Sequence, residues 1–247
     1  MHAKNKNKLP SGFYCYIVEC ADGSFYTGWA TDPWRREHDH NHTVKGAHYT
    51  RTRRPVRLVY VEPQPDRSTA MRREIKLKRL SHAKKQALAQ KREPMRDVAI
   101  RKAKPEDLPD MQAIARRSID QCYRPFLGDE SVEWYINSGE SDKELALNLK
   151  NCDVLLKGEN ISAFTIYFED LIHLMMVDVN LHRGGLGTML LAHAEKQLRA
   201  SGSETLRLET FEGNQQAINF YLKNGWSITK KHKDENFDFV RVFFEKY

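Results

Sequence analysis

A short glycine-rich segment in the second half of the chain has the composition of an anion-binding turn. Gly184, Gly185 and Gly187 stand between a predicted strand and a predicted amphipathic helix. Because glycine has no Cβ, the backbone of such a turn can approach an anion closely. The free amides and the dipole of the following helix favour a phosphate or pyrophosphate at its N-terminus. Taken alone, the segment fits a structural turn and a phosphate-binding turn equally well.

A second set of reactive residue types lies in the first half of the chain. It comprises two tyrosines on predicted strands, an arginine and a histidine one helical turn apart, and a glutamate on a basic helix: Tyr16, Tyr26, Arg36, His40 and Glu74. A phenol can take up a proton, a guanidinium can bind phosphate, and a carboxylate can hold a hard metal ion. Tyrosines are common on strands, so these residues alone also fit a structural role.

The sequence downstream of the glycine turn gives it a specific context. Glu209-Thr-Phe-Glu-Gly-Asn214 is followed by Ala217, Phe220, Tyr221 and Gly225-Trp226. Together with the turn, this order of residues resembles the GNAT N-acetyltransferase family over roughly residues 97–247. The resemblance implies a mixed-sheet fold, acetyl-CoA as the cofactor, and an acceptor that is a small-molecule or protein amine.

The same resemblance implies a role for individual residues. The backbone of Val177 and Val179 would bind the pantetheine arm as an added strand does. Asn214 would contact the cofactor, and Tyr221 would protonate the departing thiolate. Glu209 is the candidate base, although a surface carboxylate explains it equally well. The pyrophosphate would be held by the turn, which comprises His182, Arg183, Gly184, Gly185, Gly187 and Thr188.

Three segments of the first half resemble the small single-domain members of the GIY-YIG nuclease family. They are Tyr14–Gly28, Lys45–Arg51 and Asp66–Glu74, within a match from Phe13 to about Ala89. The resemblance implies two motif tyrosines, one of which activates water, a phosphate-binding arginine, an assisting histidine and a glutamate that binds Mg²⁺ or Mn²⁺. The motif tyrosines are Tyr16 and Tyr26, the arginine is Arg36, the histidine is His40 and the glutamate is Glu74.

Both halves depart from the pattern of the family that they resemble. Tyr14-Cys15-Tyr16 stands in place of Gly-Ile-Tyr, and Tyr26-Thr27-Gly28 in place of Tyr-Ile-Gly. His182 stands where GNAT proteins usually have Gln or Arg. The altered motif centres favour an alternative in which the N-terminal domain only binds nucleic acid and targets the acetyltransferase, whereas the retained tyrosines favour a nuclease. The sequence leaves open whether the nucleic acid is DNA or RNA.

These residues require two folding units to position them. Residues 1–10 are predicted to be a disordered tail, residues 11–92 a nuclease-like domain, residues 93–96 a linker and residues 97–247 a transferase-like domain. The predicted fold class is α/β of the α+β kind. A small three-stranded sheet with helices is expected in the first domain, and a larger mixed sheet flanked by helices in the second.

The expected elements follow from residue patterns. In the first domain, Phe13–Cys20 and Ser24–Gly28 are predicted to form a hairpin, Pro33 to open a short helix and Leu58–Glu62 to form a third strand. One long helix is predicted from Thr69 to Gln90. In the second domain, the pattern predicts a first strand at Val98, then three helices, three strands, the glycine turn and its helix, a strand, a helix and a last strand at Phe239–Phe244.

Charge is distributed unevenly between the two halves. Residues 1–96 carry 21 Lys and Arg against 9 Asp and Glu, whereas residues 97–247 carry 19 against 24. The net charges are therefore +12 and −5, and the chain total is +7. An asymmetry of this kind suggests a nucleic-acid or membrane partner for the basic half. A solubilising basic surface is the alternative explanation.

Sequence signals for other compartments are missing. No apolar run approaches the roughly 20 residues that a membrane span requires. Met1–Pro10 lacks the apolar stretch of a secretory signal. We therefore expect a cytoplasmic protein with no membrane partner. The four cysteines show no metal-ligand spacing and are expected to be reduced.

Overall fold

The structure is a computed structural model that describes residues 9–91, 97–234 and 239–247. The chain divides into two compact units, Met1–Ala99 and Ile100–Tyr247. The predicted linker, residues 93–96, and most of the predicted tail, residues 1–8, lie outside the described residues. Pro10 is described, and its carbonyl accepts a hydrogen bond from the Tyr14 hydroxyl at 2.7 Å. The predicted fold class is confirmed by the sheets of both units.

The first unit is a three-stranded antiparallel sheet with helices on it. The sheet has the order β2-β1-β3, and β1 is buried along most of its length because it is the central strand. The elements are β1 Phe13–Cys20, β2 Phe25–Ala30, α1 Pro33–His42, α2 His48–Arg51, β3 Val56–Gln64, α3 Arg67–Lys78 and α4 His82–Lys91.

Helix α1 is fixed to the sheet by polar side chains. The Asp32 carboxylate caps its N-terminus. The Asn41 side chain both donates to and accepts from the backbone of Val56, each at 2.8 Å. The Glu37 carboxylate accepts the backbone N–H of Leu58 at 2.5 Å. These bonds join α1 to the first residues of β3, and they fix the helix, with the side chains that it carries, relative to the sheet.

The prediction of a single long helix from Thr69 to Gln90 is wrong, because the structure has two helices there, α3 and α4. The Leu80 amide turns back to the Leu77 carbonyl at 3.1 Å, which closes α3. The Ser81 hydroxyl accepts the Lys84 amide at 3.4 Å, and so caps the start of α4. Serine side chains compete with the helical backbone in this way and favour a new N-terminus.

The second unit is built on a seven-stranded sheet with the order β4-β5-β6-β7-β8-β10-β9. Its pairing is antiparallel except between β7 and β8, among the pairs whose register is described. The elements are β4 Val98–Lys102, α5 Leu108–Leu127, α6 Asp129–Ser138, α7 Glu140–Leu147, β5 Cys152–Lys157, β6 Asn160–Phe168, β7 Leu171–Val177, α8 Leu186–Ala200, β8 Leu206–Phe211, α9 Gln215–Lys223, β9 Ser227–Lys233 and β10 Val240–Lys246.

Strand β9 is absent from the sequence-based prediction. All seven of its residues are exposed, and Lys230, Lys231 and Lys233 lie among them. An edge strand with both faces in water has no apolar alternation, and its lysines prevent pairing with other chains. The hydrophobic pattern that reveals strands is therefore missing.

Two buried clusters cover the sheet. One joins α5, α6 and α7 to β5, β6 and β7, and the other joins α8 and α9 to β7, β8 and β10. Between them, the parallel pairing of β7 and β8 includes only Leu171–Arg207 and Ile172–Leu208. Beyond those pairs the two strands separate toward Val177 and Phe211. No helix in the described part of the chain is long and apolar enough to cross a bilayer.

A buried charge ties β4, β5, β6 and α8 together. The Asp153 side chain is 4% exposed and lies 2.7 Å from His193 Nε2 and 3.2 Å from Lys102 Nζ. The Tyr167 hydroxyl also donates to it. Burial alone would raise the pKa of Asp153, but the bonds from His193 and Tyr167 and the charge of Lys102 outweigh it, so the pKa is lowered.

Replacing Asp153 should destabilise the second unit. We expect Asp153→Asn to lower the free energy of unfolding by about 1.5–3 kcal/mol, since the partly buried His193 and Tyr167 lose a charged hydrogen-bond acceptor. Because the pKa of Asp153 is lowered on folding, its contribution is present above the unfolded-state pKa and is lost as the pH falls. Urea unfolding at several pH values should therefore show the difference from the unmodified protein shrinking toward acid pH.

Lys102→Ala is the matched control, because it removes an exposed partner of the same carboxylate. It should cost at most about 1 kcal/mol. Equal destabilisation by both variants, or a difference that does not change with pH, would contradict this account of Asp153.

Candidate functional sites

The centre of the first site is a buried contact between a tyrosine and a histidine. Tyr16 on β1 is 1% exposed and His40 on α1 is fully buried. Tyr16 Oη lies 2.9 Å from His40 Nε2. On the other side of the ring, the backbone N–H of Ala47 donates to His40 Nδ1 at 3.2 Å, and the Thr50 hydroxyl lies 2.8 Å away. The structure therefore brings together two of the residues that the sequence singled out.

This arrangement determines where the histidine proton lies. A backbone N–H can only donate, so Nδ1 accepts, and a neutral ring must carry its proton on Nε2. His40 then donates to Tyr16, which leaves the tyrosine proton free to be directed elsewhere. Burial, reinforced by the charge of Arg36, lowers the pKa of His40 to about 4. His40 is therefore neutral at physiological pH. Burial, together with the neighbouring Tyr26, raises the pKa of Tyr16.

The close packing of Tyr16 explains Gly28. The two residues are cross-strand partners on β1 and β2. A Cβ added to Gly28 would lie 2.5 Å from Tyr16 Oη and 2.7 Å from Cζ. The ring thus lies directly over the Gly28 backbone, and no larger residue fits beneath it.

The other predicted residues of this site surround the pair. The Tyr26 ring meets His40 edge-on with centroids 5.0 Å apart, and it lies 6.5 Å from the Tyr16 ring. Arg36 is partly exposed, donates to the Lys45 carbonyl at 2.6 Å, and acts electrostatically on both Tyr16 and His40. Tyr26 and Arg36 are partly exposed, as Glu74 is, whereas Tyr16 and His40 are buried.

Glu74 on α3 is the predicted metal ligand. Its charge also acts on the pKa of Tyr16, so it lies within electrostatic range of the pair. Its Oε1 is bound by Lys78 Nζ at 2.8 Å. Within residues 9–91, 97–234 and 239–247, no group of three or more His, Cys, Asp or Glu side chains is placed to hold a metal ion. Mg²⁺ often binds one protein carboxylate together with waters and substrate phosphates, so Glu74 is compatible with such an ion.

The arginines that follow α1 support the loop of the site. Arg51 donates to the carbonyls of Val44 and Gly46, and Arg54 donates to those of His40 and Thr43. The guanidinium groups of Arg51 and Arg54 thus hold the segment that carries Ala47 and Thr50 against His40. Arg53 is paired instead with Asp22 at 3.0 Å, and Arg57 with Glu19 at 2.9 Å.

The glycine turn of the second site has the backbone geometry that the sequence suggests. Gly185 has φ 87° and forms the N-cap of α8, and Arg183 also lies in the left-handed region with φ 57°. A Cβ on Gly184 would lie 2.8 Å from the Leu181 carbonyl oxygen. The first amides of α8, from Leu186 through Thr188, have no intrahelical acceptor. A short 3₁₀ helix, Val179–Leu181, connects the end of β7 to this turn.

His182 is placed differently from the prediction of a direct cofactor contact. Its Nε2 donates to the Val177 carbonyl at 3.0 Å, and its Nδ1 lies 3.0 Å from the Gln216 side-chain nitrogen. Both ring nitrogens are therefore used within the protein. The side chain links the end of β7 to α9. The Val177 carbonyl oxygen also accepts from the Ser118 hydroxyl at 3.4 Å, so it already has two side-chain partners.

Asn214 has a structural role that the sequence analysis did not assign. Its side-chain oxygen accepts the Ala217 amide at 3.1 Å and caps α9. The helix so positioned carries Tyr221. That residue packs in the buried cluster against Trp226 and Phe244, with ring centroids 6.3 and 5.6 Å away.

The two residues predicted to transfer protons, Tyr221 and Glu209, lie in different surroundings. Burial, followed by the influence of Tyr123, raises the pKa of Tyr221, so its hydroxyl keeps its proton. Glu209 is exposed on β8, where its Oε1 accepts from Arg241 at 2.5 Å. Leu206 and Leu208 belong to the buried cluster of Tyr221, so Glu209 lies on the opposite face of β8.

Three residues of these sites escaped the sequence analysis. Thr50 contacts His40, Lys78 pairs with Glu74, and Tyr123 acts on Tyr221. The spacing of Glu74 and Lys78, four residues apart on a helix, could have revealed their ion pair. No local signal indicates the other two, because their partners are distant in the sequence or on another element.

Comparisons with known proteins agree with this geometry. The GIY-YIG catalytic domain matches residues 12–87, and the Acetyltransferase (GNAT) family matches residues 117–226. The UPF0213 protein of Desulfotalea psychrophila is 53% identical over 76 residues, 31% of this chain and 69% of that protein. The UPF0213 protein of Halobacterium salinarum is 49% identical over 75 residues, 30% of this chain and 96% of that protein.

The chain belongs to the UPF0213 family, and it joins a GIY-YIG domain to a GNAT domain. Both resemblances seen in the sequence are thereby confirmed. The UPF0213 relatives cover the GIY-YIG domain, whereas solved structures correspond to the GNAT domain.

Two solved structures are similar to the GNAT domain in fold. A GCN5-related N-acetyltransferase from Rhodopseudomonas palustris has 20% identity and a TM-score of 0.53, covering 60% of this chain and 94% of that one. The PaiA N-acetyltransferase from Thermoplasma acidophilum, solved in complex with coenzyme A, has 22% identity and a TM-score of 0.51, covering 60% and 98%. At these identities the likeness concerns the fold alone.

The contact over Gly28 in the GIY-YIG domain predicts a steric effect that depends on Tyr16. We expect Gly28→Ala to destabilise this domain by about 1–3 kcal/mol, since the new methyl overlaps the tyrosine ring. Combined with Tyr16→Ala, the same substitution should cost much less. Chemical denaturation of the two single variants and the double variant measures the coupling. Additive costs would show that the ring does not restrict position 28.

Proposed function

We propose that the GNAT domain transfers an acetyl group from acetyl-CoA to the nitrogen of an amine acceptor. The observation that carries the proposal is the separation of β7 and β8 directly beside the glycine turn of α8. A sheet that opens in this way leaves strand edges unpaired, and an extended group can add to such an edge. The adjoining helix N-terminus suits a pyrophosphate.

In this proposal the residues of the turn and of β7 bind the cofactor. The backbone of Val177, at the end of β7, would bind the pantetheine arm together with that of Val179, which the structure places in a short 3₁₀ helix, Val179–Leu181, and not in the strand. The amides from Gly184 to Thr188 would bind the pyrophosphate, with the charge of Arg183 nearby. Asn214 would contact the cofactor through its amide nitrogen, because its oxygen caps α9. His182 would act through its link between Val177 and Gln216 rather than as a ligand.

Acetyl-CoA supplies the acetyl group as a thioester when bound. The acceptor nitrogen would form a bond to the thioester carbonyl carbon, and the carbon–sulfur bond would break. Tyr221 would donate its proton to the departing sulfur, which a hydroxyl with a raised pKa can do at neutral pH. A base must remove the proton of the amine. Glu209 would do so only after its ion pair with Arg241 opens.

The Tyr221 hydroxyl provides a direct test of this mechanism. We expect Tyr221→Phe to lower kcat by roughly 10²–10⁴-fold, as loss of a general acid does, while the Kd for acetyl-CoA stays nearly the same. Calorimetry measures binding, and release of free thiol with an accepted amine measures turnover. Tyr135→Phe, a partly buried tyrosine of α6, is the control and should keep its turnover.

Two results would refute the proposal or part of it. If the unmodified protein gives no binding heat with acetyl-CoA at high micromolar concentration, the domain is not an acetyl-CoA enzyme. If Tyr221→Phe keeps full turnover, Tyr221 serves only as packing within its buried cluster.

For the GIY-YIG domain we propose metal-dependent cleavage of a nucleic-acid phosphodiester. The observation in favour is the neutral His40 that donates to Tyr16, because the tyrosine proton is then free to interact with another group of the site. Tyr26 and Arg36, which are partly exposed, lie beside this buried pair. Because Tyr16 is buried, Tyr26 would orient the attacking water, and Arg36 would bind the phosphate.

Glu74 would hold Mg²⁺ or Mn²⁺ in this proposal. A bound divalent ion neutralises charge on the phosphate and activates water. Such an ion would have to compete with Lys78 for the Glu74 carboxylate. The alternative is a domain that binds nucleic acid without cleaving it and brings the acetyltransferase to it. The altered motif centres and the net positive charge of residues 1–96 favour this alternative.

Glu74 distinguishes the nuclease from the binding module. We expect Glu74→Ala to reduce Mg²⁺- or Mn²⁺-dependent cleavage of labelled DNA or RNA by at least about a hundredfold, because the ion contributes several kcal/mol. Binding in gel shifts should persist, since removing an anion from a basic surface does not weaken its attraction for phosphates. Glu62→Gln, a carboxylate paired with Arg73 in the same domain, should retain cleavage.

The outcomes separate the two proposals. Cleavage that persists in Glu74→Ala or in EDTA would come from another site or another protein. Salt-sensitive binding with no cleavage by the unmodified protein would establish the binding module instead.

A further inference from the structure

A cavity of about 240 Å³ opens on the second unit beside the end of β8. Its walls include Phe126 from the last turn of α5, Phe211 from β8 and Phe239, which precedes β10. Glu212 and Gly213, just after β8, complete one side. The cavity thus lies among three elements of the GNAT domain, close to the point where β8 leads into α9.

The three phenylalanines lie outside the buried hydrophobic clusters of the domain. Each is partly exposed, and none belongs to the two buried clusters that cover the sheet. Their rings touch in sequence around the cavity, with centroids 5.8 Å apart for Phe126 and Phe211 and 5.0 Å apart for Phe211 and Phe239. Aromatic side chains gathered around an open cavity provide faces and edges for another aromatic ring.

The cavity is held tightly against the segment that leads to α9. A Cβ on Gly213 would lie 2.4 Å from Phe126 Cβ, so α5 and the turn after β8 are in direct contact here. The next residue, Asn214, caps α9. The wall formed by Phe126 is therefore fixed in position by its contact with the Gly213 backbone.

Tyr123 connects the cavity to the proposed acid. Its ring lies 5.5 Å from that of Phe126 and 5.8 Å from that of Phe211. It also interacts electrostatically with the hydroxyl of Tyr221. Tyr123, one turn of α5 from Phe126, therefore lies against two walls of the cavity and within electrostatic range of Tyr221.

We propose that this cavity receives the aromatic ring of the acetyl acceptor, which is a primary amine joined to a single ring by a short linker. This inference rests on the proposed acetyl transfer and names its substrate class. A closed apolar cavity of about 150 Å³ is large enough to bind benzene, and the volume of this open cavity is sufficient for one ring with part of a linker. Its charged lining residues are Glu212, which is paired with Lys231, and Lys233 at the end of β9, and the three aromatic rings provide the apolar surface for recognition.

The test compares 2-phenylethylamine with ethylamine as acceptors for the unmodified protein and two variants. We expect kcat/KM to be at least about tenfold higher for 2-phenylethylamine, because the ring is removed from water. Phe126→Ala should remove most of this preference. Phe243→Ala is the matched control, since it removes a partly buried phenylalanine of β10 outside the cavity. Acetyl-CoA binding by calorimetry, measured for every variant, shows that the domain remains folded.

A third probe, a short peptide with an N-terminal phenylalanine, distinguishes a free arylalkylamine from a peptide N-terminus with the same ring. A preference for either aromatic probe that Phe126→Ala abolishes supports the inference. If acetyl-CoA binds but ethylamine is used as well as the aromatic probes, or the Phe126→Ala variant keeps the preference, the inference is wrong and acetyl transfer stands. If acetyl-CoA does not bind, the proposed function fails, and the inference fails with it.

Discussion

The brief parallel contact between β7 and β8 is the constraint on which the GNAT domain depends. Only two residue pairs join the strands, and beyond them the sheet opens. Two separate buried clusters, one with α5 to α7 and one with α8 and α9, stabilise the two sides of the opening. Because each side has its own core, each remains packed where the two strands are not paired. The glycine turn, the proposed acid and the aromatic cavity all lie around this opening.

In the GIY-YIG domain a comparable role belongs to the packing of Tyr16 over Gly28. The glycine allows the ring to lie against β2, and the hydroxyl then reaches His40 on α1. A buried histidine must have its nitrogens satisfied, which the Ala47 amide and the Thr50 hydroxyl accomplish. The arginines after α1 hold that loop in place through bonds to its carbonyls. The basic residues of this segment therefore contribute to structure as well as to charge.

The errors of the sequence-based predictions have specific physical causes. The long helix was interrupted because Ser81 caps a new N-terminus, and a single side-chain bond of this kind leaves the apolar periodicity almost unchanged. Strand β9 was missed because an exposed edge strand has no apolar alternation. The contacts of His182 with Val177 and Gln216 were not foreseen, because these partners are provided by other elements. Local patterns carry no information about such distant partners.

The sequence by itself determined the two families, the fold class, the order of most elements and the glycine turn, because each of these is encoded in local spacing and residue type. It also singled out Tyr16, Tyr26, Arg36, His40 and Glu74, whose spacing follows a family pattern. Only the tertiary structure decided that His40 is neutral and donates to Tyr16, that Lys78 occupies the carboxylate of Glu74, and that Tyr123 lies between an aromatic cavity and Tyr221. These features depend on burial and on contacts between strands and helices far apart in the chain, and such contacts exist only after folding.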